Sequence, residues 1–152
     1  MNSSEKLKIL LDSTYLLPII GIDVENINEV LLLLKKLYDE NKAEYYYTSF
    51  NLLEILGKLS RVKYDKKRVA AGLLSIEEEF TILNLTTEGY MKVLDLKAQG
   101  YKDIIDLLLY ATSLFADILF LTRDYALIDF LKENGEEIKN ILLEKEFLAK
   151  YG

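Results

Sequence analysis

The sequence predicts a three-layer α/β/α fold in which helices cover both faces of a central parallel sheet. Short apolar runs typical of buried strands alternate with longer segments whose apolar residues recur every three or four positions. Strands separated by helices require crossover connections, which produce parallel sheets covered on both faces. The 152 residues contain no evident linker, repeat or low-complexity segment, so we expect a single domain over residues 1–152.

The first half of the chain is expected to hold three strands and four helices. Pro18 fits a helix only within its first turn, and Asn26 with Glu29 forms an N-capping pattern ahead of regularly spaced apolar residues. In order, the predicted elements are a strand over 6–12, a short helix from about Thr14, a helix from Asn26 to about Asn41, a strand over 44–48, helices over 49–60 and 65–79, and a strand over 80–85.

The second half is expected to hold four helices and two strands. Thr86 and Asp103 are residue types that cap helix N-termini, and Gly100 and Gly135 are typical residues after a helix ends. In order, the predicted elements are helices over 86–99 and 103–115, a strand over 117–122, a helix over 124–134, a weak strand over 138–142 and a C-terminal helix.

Four acidic residues stand where this fold would bring them together. Asp12 ends the first strand, Asp124 follows the fourth, and Glu54 and Asp106 lie on helices. Ligands of open parallel sheets bind beyond the carboxyl ends of the strands. Clustered carboxylates there form a site for a hard divalent cation such as Mg²⁺ or Mn²⁺, and such sites commonly activate water against phosphodiesters.

The composition excludes several other kinds of site. Cysteine and histidine are both absent, which excludes disulfides, thiolate nucleophiles, histidine-based triads and ordinary structural zinc. The glycines form neither a dinucleotide fingerprint nor a phosphate-binding loop. Acidic residues interrupt the longest apolar region, and the N-terminus does not resemble a signal peptide. We therefore expect a cytoplasmic protein without a membrane segment.

Basic charge is concentrated in one segment although the net charge of the chain is −6. The segment 58–68 carries +5, and it follows Glu54, so it could hold a polyanion beside the acidic site. A solvated helix start explains the same charges. The strand propensity of tyrosine explains Tyr45–Tyr47 better than stacking on bases does. The candidate phosphate-binding residues are Lys58, Arg61, Lys63 and Arg68.

Taken together, the motifs resemble the PIN domain, the nuclease fold of VapC-type toxins and RNA-processing enzymes. The resemblance is carried by Leu10-Leu11-Asp12-Ser13-Thr14, by Ser49-Phe50-Asn51-Leu52-Leu53-Glu54-Ile55, by Asp106 with Ala111, and by Leu121-Thr122-Arg123-Asp124. It spans nearly the whole chain, and its strength lies in order and spacing.

This resemblance implies both an activity and a set of roles. It implies a ribonuclease with strand order 3-2-1-4-5, in which Asp12, Glu54, Asp106 and Asp124 coordinate one or two Mg²⁺ or Mn²⁺ ions. The hydroxyl of Thr122 would help to orient these acids. Proteins of this kind often form homodimers, and toxin members bind a small antitoxin protein.

Each acid also has a purely structural explanation. Asp12 and Asp124 precede predicted helices and could simply cap them, although Ser13 could cap the first alone. Glu54 could form an ordinary surface pair with Lys58 one turn later. Asp103 is interpreted first as an N-cap, and the alternative is an outer acid that supports the same site, as Ser13 and Thr122 would.

Two alternatives concern the whole protein. A catalytically silent PIN-like module that binds RNA or protein fits the acidic net charge, although it gives no reason to retain four carboxylates that repel one another. A haloacid-dehalogenase-like phosphatase with Asp12 as the nucleophile is excluded because Thr14 stands where that family has a second aspartate.

Overall fold

The computed structural model describes residues 5–152 and contains a five-stranded sheet. The strands are β1 (Leu7–Leu11), β2 (Ala43–Thr48), β3 (Thr81–Leu83), β4 (Leu119–Thr122) and β5 (Ile141–Leu143). All neighbouring strands are parallel, in the order β3-β2-β1-β4-β5. The predicted fold class and strand order are therefore confirmed. Because β1 and β4 are adjacent, their carboxyl ends lie side by side.

Helices cover both faces of the sheet and enclose two hydrophobic cores. Alternation along β1 separates them: Ile9 and Leu11 contribute to one core, and Leu10 contributes to the other with Phe120. The helices are α1 (Asn28–Asp39), α2 (Ser49–Leu59), α3 (Lys66–Glu79), α4 (Thr87–Ala98), α5 (Ile104–Ala116), α6 (Tyr125–Glu133) and α7 (Glu144–Tyr151). Residues of α1, α2, α3 and α7 line the first core, and residues of α4, α5 and α6 line the second.

Capping side chains begin four of these helices where the sequence predicts or allows it. Asp65 accepts hydrogen bonds from the first-turn amides of α3, and Thr86 does so at α4. Asp103 and Asp124 cap α5 and α6 in the same way. Each side chain satisfies amides that would otherwise lack a partner within the helix.

The predicted start of α1 is wrong. Asn26 adopts a left-handed backbone conformation with φ of 54°, and Ile27 occupies the N-cap position without a side-chain bond. The helix therefore begins at Asn28, two residues later than predicted. The short helix after β1 is also different, because residues 13–20 form two 3₁₀ turns, Ser13–Tyr15 and Leu17–Ile20, with Pro18 near the start of the second.

The strands of the second half are shorter than predicted. Asp117 has φ of 54° and ends α5, so β4 begins only at Leu119. The predicted fifth strand over 138–142 is displaced, because the amide of Ile141 donates to the carbonyl of Ile138 at 3.0 Å and closes a turn there. These shifts leave the carboxyl ends of the strands, which carry the acids, where the sequence predicts them.

Candidate functional site

Asp12 lies at the carboxyl end of β1 and is tied to β4 by two hydrogen bonds. Its amide donates to the carbonyl of Leu121 at 3.2 Å, which extends the β1–β4 pairing to this residue. Its Oδ2 accepts a hydrogen bond from Thr122 Oγ1 at 3.1 Å. The side chain makes no capping bond to the 3₁₀ turn that follows, so the capping explanation of Asp12 is wrong.

Thr122 links Asp12 to Asp124. It is buried at the last position of β4, and its Oγ1 donates to Asp12 and accepts a hydrogen bond from the amide of Asp124 at 3.1 Å. This hydroxyl therefore orients the carboxyl group of Asp12 after β1 and fixes the backbone of Asp124 after β4. This arrangement supports the orienting role that the sequence assigns to Thr122.

The two carboxylate oxygens of Asp124 have different surroundings. Oδ1 accepts hydrogen bonds from the amides of Ala126 at 3.0 Å and Leu127 at 3.3 Å, so it caps α6. Oδ2 instead lies 3.4 Å from the hydroxyl of Tyr101. The capping explanation thus accounts for one oxygen and leaves the other for the acidic cluster.

Asp106 enters the cluster from the first turn of α5. This helix is largely buried, and Asp106 itself is half-buried. Its Oδ2 accepts a hydrogen bond from the hydroxyl of Tyr101 at 3.1 Å. Asp103 caps the same helix, accepting from the amides of Ile105 and Asp106 at 3.0 and 3.3 Å. The interpretation of Asp103 as an N-cap is confirmed.

The proton affinity of Asp12 reflects both its burial and its neighbours. The pKa of Asp12 is raised to about 6, mainly by removal of its side chain from water and next by the negative charge of Glu54. The hydrogen bond from Thr122 opposes this shift, and the charge of Asp124 adds a smaller increase. Glu54, which lies on α2, is therefore near enough to Asp12 to act on it electrostatically.

Asp106 is perturbed in the same direction. Burial raises the pKa of Asp106 well above the usual range of an aspartate, and its hydrogen bond with Asp124 adds to this. The charges of Asp103, Asp124 and Asp12 raise the pKa further. Asp12 thus lies within electrostatic reach of Glu54, Asp106 and Asp124, and Asp106 also lies within reach of Asp103.

Asn51 fixes α2, and with it Glu54, against the end of β1. Its amide nitrogen Nδ2 donates to the carbonyl of Leu11 at 3.1 Å and to Ser13 Oγ at 3.0 Å. Its Oδ1 accepts from the amide of Thr48, whose side chain in turn accepts from the amide of Asn51. Asn51, Thr48 and Ser13 are fully buried, so this polar contact holds three segments together.

The donor set suits a hard divalent cation. Every candidate ligand is a carboxylate oxygen, which Mg²⁺ and Mn²⁺ prefer, and a cation would offset the repulsion that raises the pKa of Asp12 and Asp106. Within residues 5–152, however, no three acidic side chains already surround a common point as ligands. Hydrogen bonds orient two of the candidate ligand oxygens: Tyr101 donates to Asp106 Oδ2, and Thr122 donates to Asp12 Oδ2.

The four candidate phosphate-binding residues are all exposed but differ in their contacts. Lys58 and Arg61 line a groove of about 430 Å³, together with the acidic Asp23 and with Thr14, which follows Asp12 by two residues in the chain. Arg61 lies beyond the end of α2, and its Nε donates to the carbonyl of Gly57 at 3.2 Å. Lys63 follows in the loop before α3.

Arg68 has a structural contact that the sequence did not predict. Its guanidinium donates to the backbone carbonyls of Pro18 and Ile19, and this joins α3 to the second 3₁₀ turn. A guanidinium committed to two carbonyls is less available to a phosphate. Nothing in this placement supports the predicted role of Arg68 in nucleic-acid binding.

A second polar cluster, formed by Arg123, Glu144 and Tyr15, connects segments next to the site. Arg123 binds both carboxylate oxygens of Glu144 at 2.8 and 3.1 Å and donates to the carbonyls of Glu25 and Asn26. The hydroxyl of Tyr15 donates to Glu144 Oε1 at 2.9 Å. These bonds connect the residue before Asp124, the turn after Asp12 and the start of α7.

Sequence reasoning missed Tyr101 and the role of Asn51. The three-residue spacing of Thr48 and Asn51 could have pointed to the capping box that they form, but the contact of Asn51 with the end of β1 depends on the packing of α2. Tyr101 had no local signal, since it lies in the connection before α5 and reaches Asp124, 23 residues away, only in the fold.

Comparison with known proteins gives one family and a set of similar folds. A model of the PIN domain family matches residues 9–132, which is most of the chain. No curated protein sequence matches it.

Several solved structures share the fold. VapBC2 from Rickettsia felis, bound to a fragment of its promoter DNA, is 17% identical over 90% of this chain and 97% of the matched chain, with a TM-score of 0.60. VapBC-1 from nontypeable Haemophilus influenzae is 11% identical over 91% and 99%, with a TM-score of 0.62. VapC20 from Mycobacterium tuberculosis, a toxin that cleaves the sarcin-ricin loop, is 13% identical over 85% and 96%, with a TM-score of 0.59. At these identities the likeness shows the fold alone.

Proposed function

Because the chain belongs to the PIN domain family, we propose that it is a metal-dependent ribonuclease that hydrolyses RNA phosphodiester bonds. We propose Asp12, Glu54, Asp106 and Asp124 as its catalytic cluster, with Mg²⁺ or Mn²⁺ as the cofactor. We also propose that it acts as the toxin of a toxin–antitoxin pair of the VapBC type.

The observation that carries this proposal is the convergence of Asp12, Asp106 and Asp124 at the carboxyl edge of the sheet, where Thr122 and Tyr101 join them by hydrogen bonds. Burial, with neighbouring negative charge, raises the pKa of both Asp12 and Asp106. Acids scattered over a solvated surface would not be perturbed in this way. A fold gains nothing in stability from burying like charges together, so a cation-dependent function is the simplest reason for this arrangement.

The residues divide the work of the reaction. Asp12, Asp106 and Asp124 would hold the cation, and Glu54 would serve as a further ligand or take the proton of the attacking water. When bound, the cation supplies Lewis-acid chemistry that makes water a better nucleophile and offsets charge on the attacked phosphate. Thr122 keeps Asp12 Oδ2 oriented, and Asn51 keeps α2 beside the end of β1.

A groove lined by Lys58 and Arg61 supports RNA as the substrate. Thr14, which follows Asp12 by two residues in the chain, also lines it, together with one acidic residue, Asp23. Phosphate contacts of this kind supply sequence-independent affinity and a dependence on salt. We assign Lys58, Arg61 and Lys63 to the RNA backbone and leave Arg68 out, because its guanidinium already contacts backbone carbonyls.

Two protein partners belong to the proposal. The similar folds include VapBC complexes, which supports a small antitoxin as partner, and copurification with the product of an adjacent small gene would test it. A homodimer is supported by exposed apolar side chains on one side of α4, namely Tyr90, Met91 and Leu94. Analytical ultracentrifugation of the purified chain would test the dimer.

Among residues 5–152 there is no helix that could span a membrane.

The test is cleavage of a broad panel of single-stranded and structured RNAs by the purified protein. Cleavage is expected with Mg²⁺ or Mn²⁺ and should disappear on addition of EDTA. Cleavage that persists in EDTA would contradict the role of the cation. RNA binding without cleavage under any of these conditions would favour the catalytically silent module.

A further inference from the structure

Tyr101 lies in the connection between α4 and α5 and contacts two of the four acids. Its hydroxyl is 3.1 Å from Asp106 Oδ2 and 3.4 Å from Asp124 Oδ2. A phenol has a single proton to donate, so the two carboxylates share one donor. These contacts connect the first turn of α5 with the start of α6, two segments that no strand pairing joins.

The oxygens that Tyr101 contacts are not used as helix caps. Asp124 caps α6 with Oδ1, and α5 is capped by Asp103 rather than by Asp106. Oδ2 of Asp124 and both carboxylate oxygens of Asp106 are therefore left for chemistry. Each oxygen has more than one lone pair, so a bond from Tyr101 leaves capacity for a cation.

The ring of Tyr101 is held in place by contacts that do not involve its hydroxyl. It packs against Phe130 of α6 with ring centroids 4.8 Å apart. Lys97 Nζ donates to the carbonyls of Tyr101 and Lys102 at 2.8 and 3.0 Å, which fixes the backbone of the same connection. A side chain held at both ends can impose a position on the two carboxylates rather than follow them.

We propose that Tyr101 is a positioning residue of the cation site: its hydroxyl holds Asp106 Oδ2 and Asp124 Oδ2 in the orientation in which they bind a divalent cation. This inference rests on the proposed function, because it assumes that the acids bind a cation. Groups that hydrogen-bond to metal-binding carboxylates orient them, and their loss typically reduces metal affinity about 10- to 100-fold.

The test compares cation binding by the wild type, Tyr101→Phe and Tyr38→Phe. Tyr101→Phe keeps the ring that packs on Phe130 and removes only the hydroxyl. Tyr38 is an exposed tyrosine of α1 and controls for the loss of any phenol. Calorimetric titration with Mn²⁺ should show about tenfold weaker binding by Tyr101→Phe and unchanged binding by Tyr38→Phe.

A second measurement reports how close Tyr101 lies to the bound ion. Tb³⁺ is a hard cation that binds carboxylate sites, and its luminescence is excited by a nearby tyrosine. The chain has no tryptophan to contribute. At saturating Tb³⁺, Tyr101→Phe should lose luminescence per bound ion, and Tyr38→Phe should retain it. Because the loss of any adjacent tyrosine lowers this signal, the role of the hydroxyl itself is decided by the Mn²⁺ affinity.

The outcomes separate the inference from the proposed function. If the wild type binds neither Mn²⁺ nor Tb³⁺, the cation site itself is wrong. If the wild type binds both and Tyr101→Phe matches its affinity for Mn²⁺, only the role of Tyr101 is overturned. Should Tyr101→Phe not fold, Phe130→Leu serves instead: it keeps the hydroxyl, loosens the ring, and should weaken Mn²⁺ binding by less than tenfold. Unchanged binding by Phe130→Leu would then contradict the inference.

Discussion

The acidic cluster and the basic segment 58–68 are both concentrations of charge, but the fold treats them differently. Asp12 and Asp106 are drawn out of water, and burial with neighbouring charge raises the pKa of each. Lys58 and Lys63 remain exposed. Charge that is buried against like charge costs stability and calls for a functional reason, whereas exposed charge does not.

The largest expected effect is on catalysis by the buried region. Asp106→Asn should reduce RNA cleavage by at least about 100-fold, because it removes a cation ligand and leaves the fold intact. Cleavage rates of a chosen RNA at saturating Mn²⁺ would measure this. Asp129→Asn changes an exposed aspartate of α6 and should cleave at the wild-type rate. Equal loss in the two variants would mean that charge rather than position matters.

The next effect concerns the exposed region. Replacing Lys58, Arg61 and Lys63 together by Gln should weaken RNA binding about 10-fold or more and flatten the plot of log K against log salt by about one unit per lost contact. Binding measured by anisotropy at several salt concentrations would show this. Mn²⁺ affinity should be unchanged. An unchanged salt slope would assign these residues to an ordinary solvated surface.

Replacement of Arg68 is expected to affect stability rather than RNA binding, unlike replacement of its basic neighbours. Arg68→Gln should lower the free energy of unfolding by about 1 kcal/mol, because two hydrogen bonds from a charged group to the carbonyls of Pro18 and Ile19 are lost. RNA affinity at low salt should change little. Urea unfolding and RNA binding of this single variant provide the two readings, and a weaker affinity with full stability would restore Arg68 to the RNA-binding surface.

Stability should also depend on pH through Asp12. Its pKa is raised from 3.8 to about 6 in the folded chain, so the fold favours the neutral acid. The stabilisation from the neutral acid is complete below about pH 4 and is lost as the pH rises through about 6. In EDTA, Asp12→Asn should therefore gain stability over the wild type between pH 4 and 7, on the order of 1 kcal/mol. A difference between the two proteins that does not vary with pH would contradict the assigned shift.

Local pattern and family resemblance were enough to predict the fold, but not the contacts that shape the site. The helix caps at Thr86 and Asp103 could be predicted because each capping side chain binds an amide no more than three residues later in the chain. Asn26 shows the limit of that reasoning: it has the right residue type for a cap, but its left-handed backbone moves the start of α1 to Asn28.

The candidate site shows the same division. The order of Asp12, Glu54, Asp106 and Asp124 along the chain predicted which acids would meet, while their roles stay predictions. Tyr101 could not be found in this way, because its two partners are brought to it by α5 and α6. Local signals identify which chemical groups are present, and only the packing of distant segments decides how they are oriented.

The central claim is that the four acids form one cation site that is destabilised when it is empty. Melting curves of the wild type and Asp12→Asn, each in EDTA and in excess Mn²⁺, test it most directly. Mn²⁺ at about 100 times its Kd should raise the Tm of the wild type by roughly 5 to 10 °C. Asp12→Asn should melt at or above the wild-type temperature in EDTA and lose most of the response to Mn²⁺, whereas Asp129→Asn should keep it. A wild type that does not respond to Mn²⁺, or an Asp12→Asn variant that responds fully, would contradict the shared site.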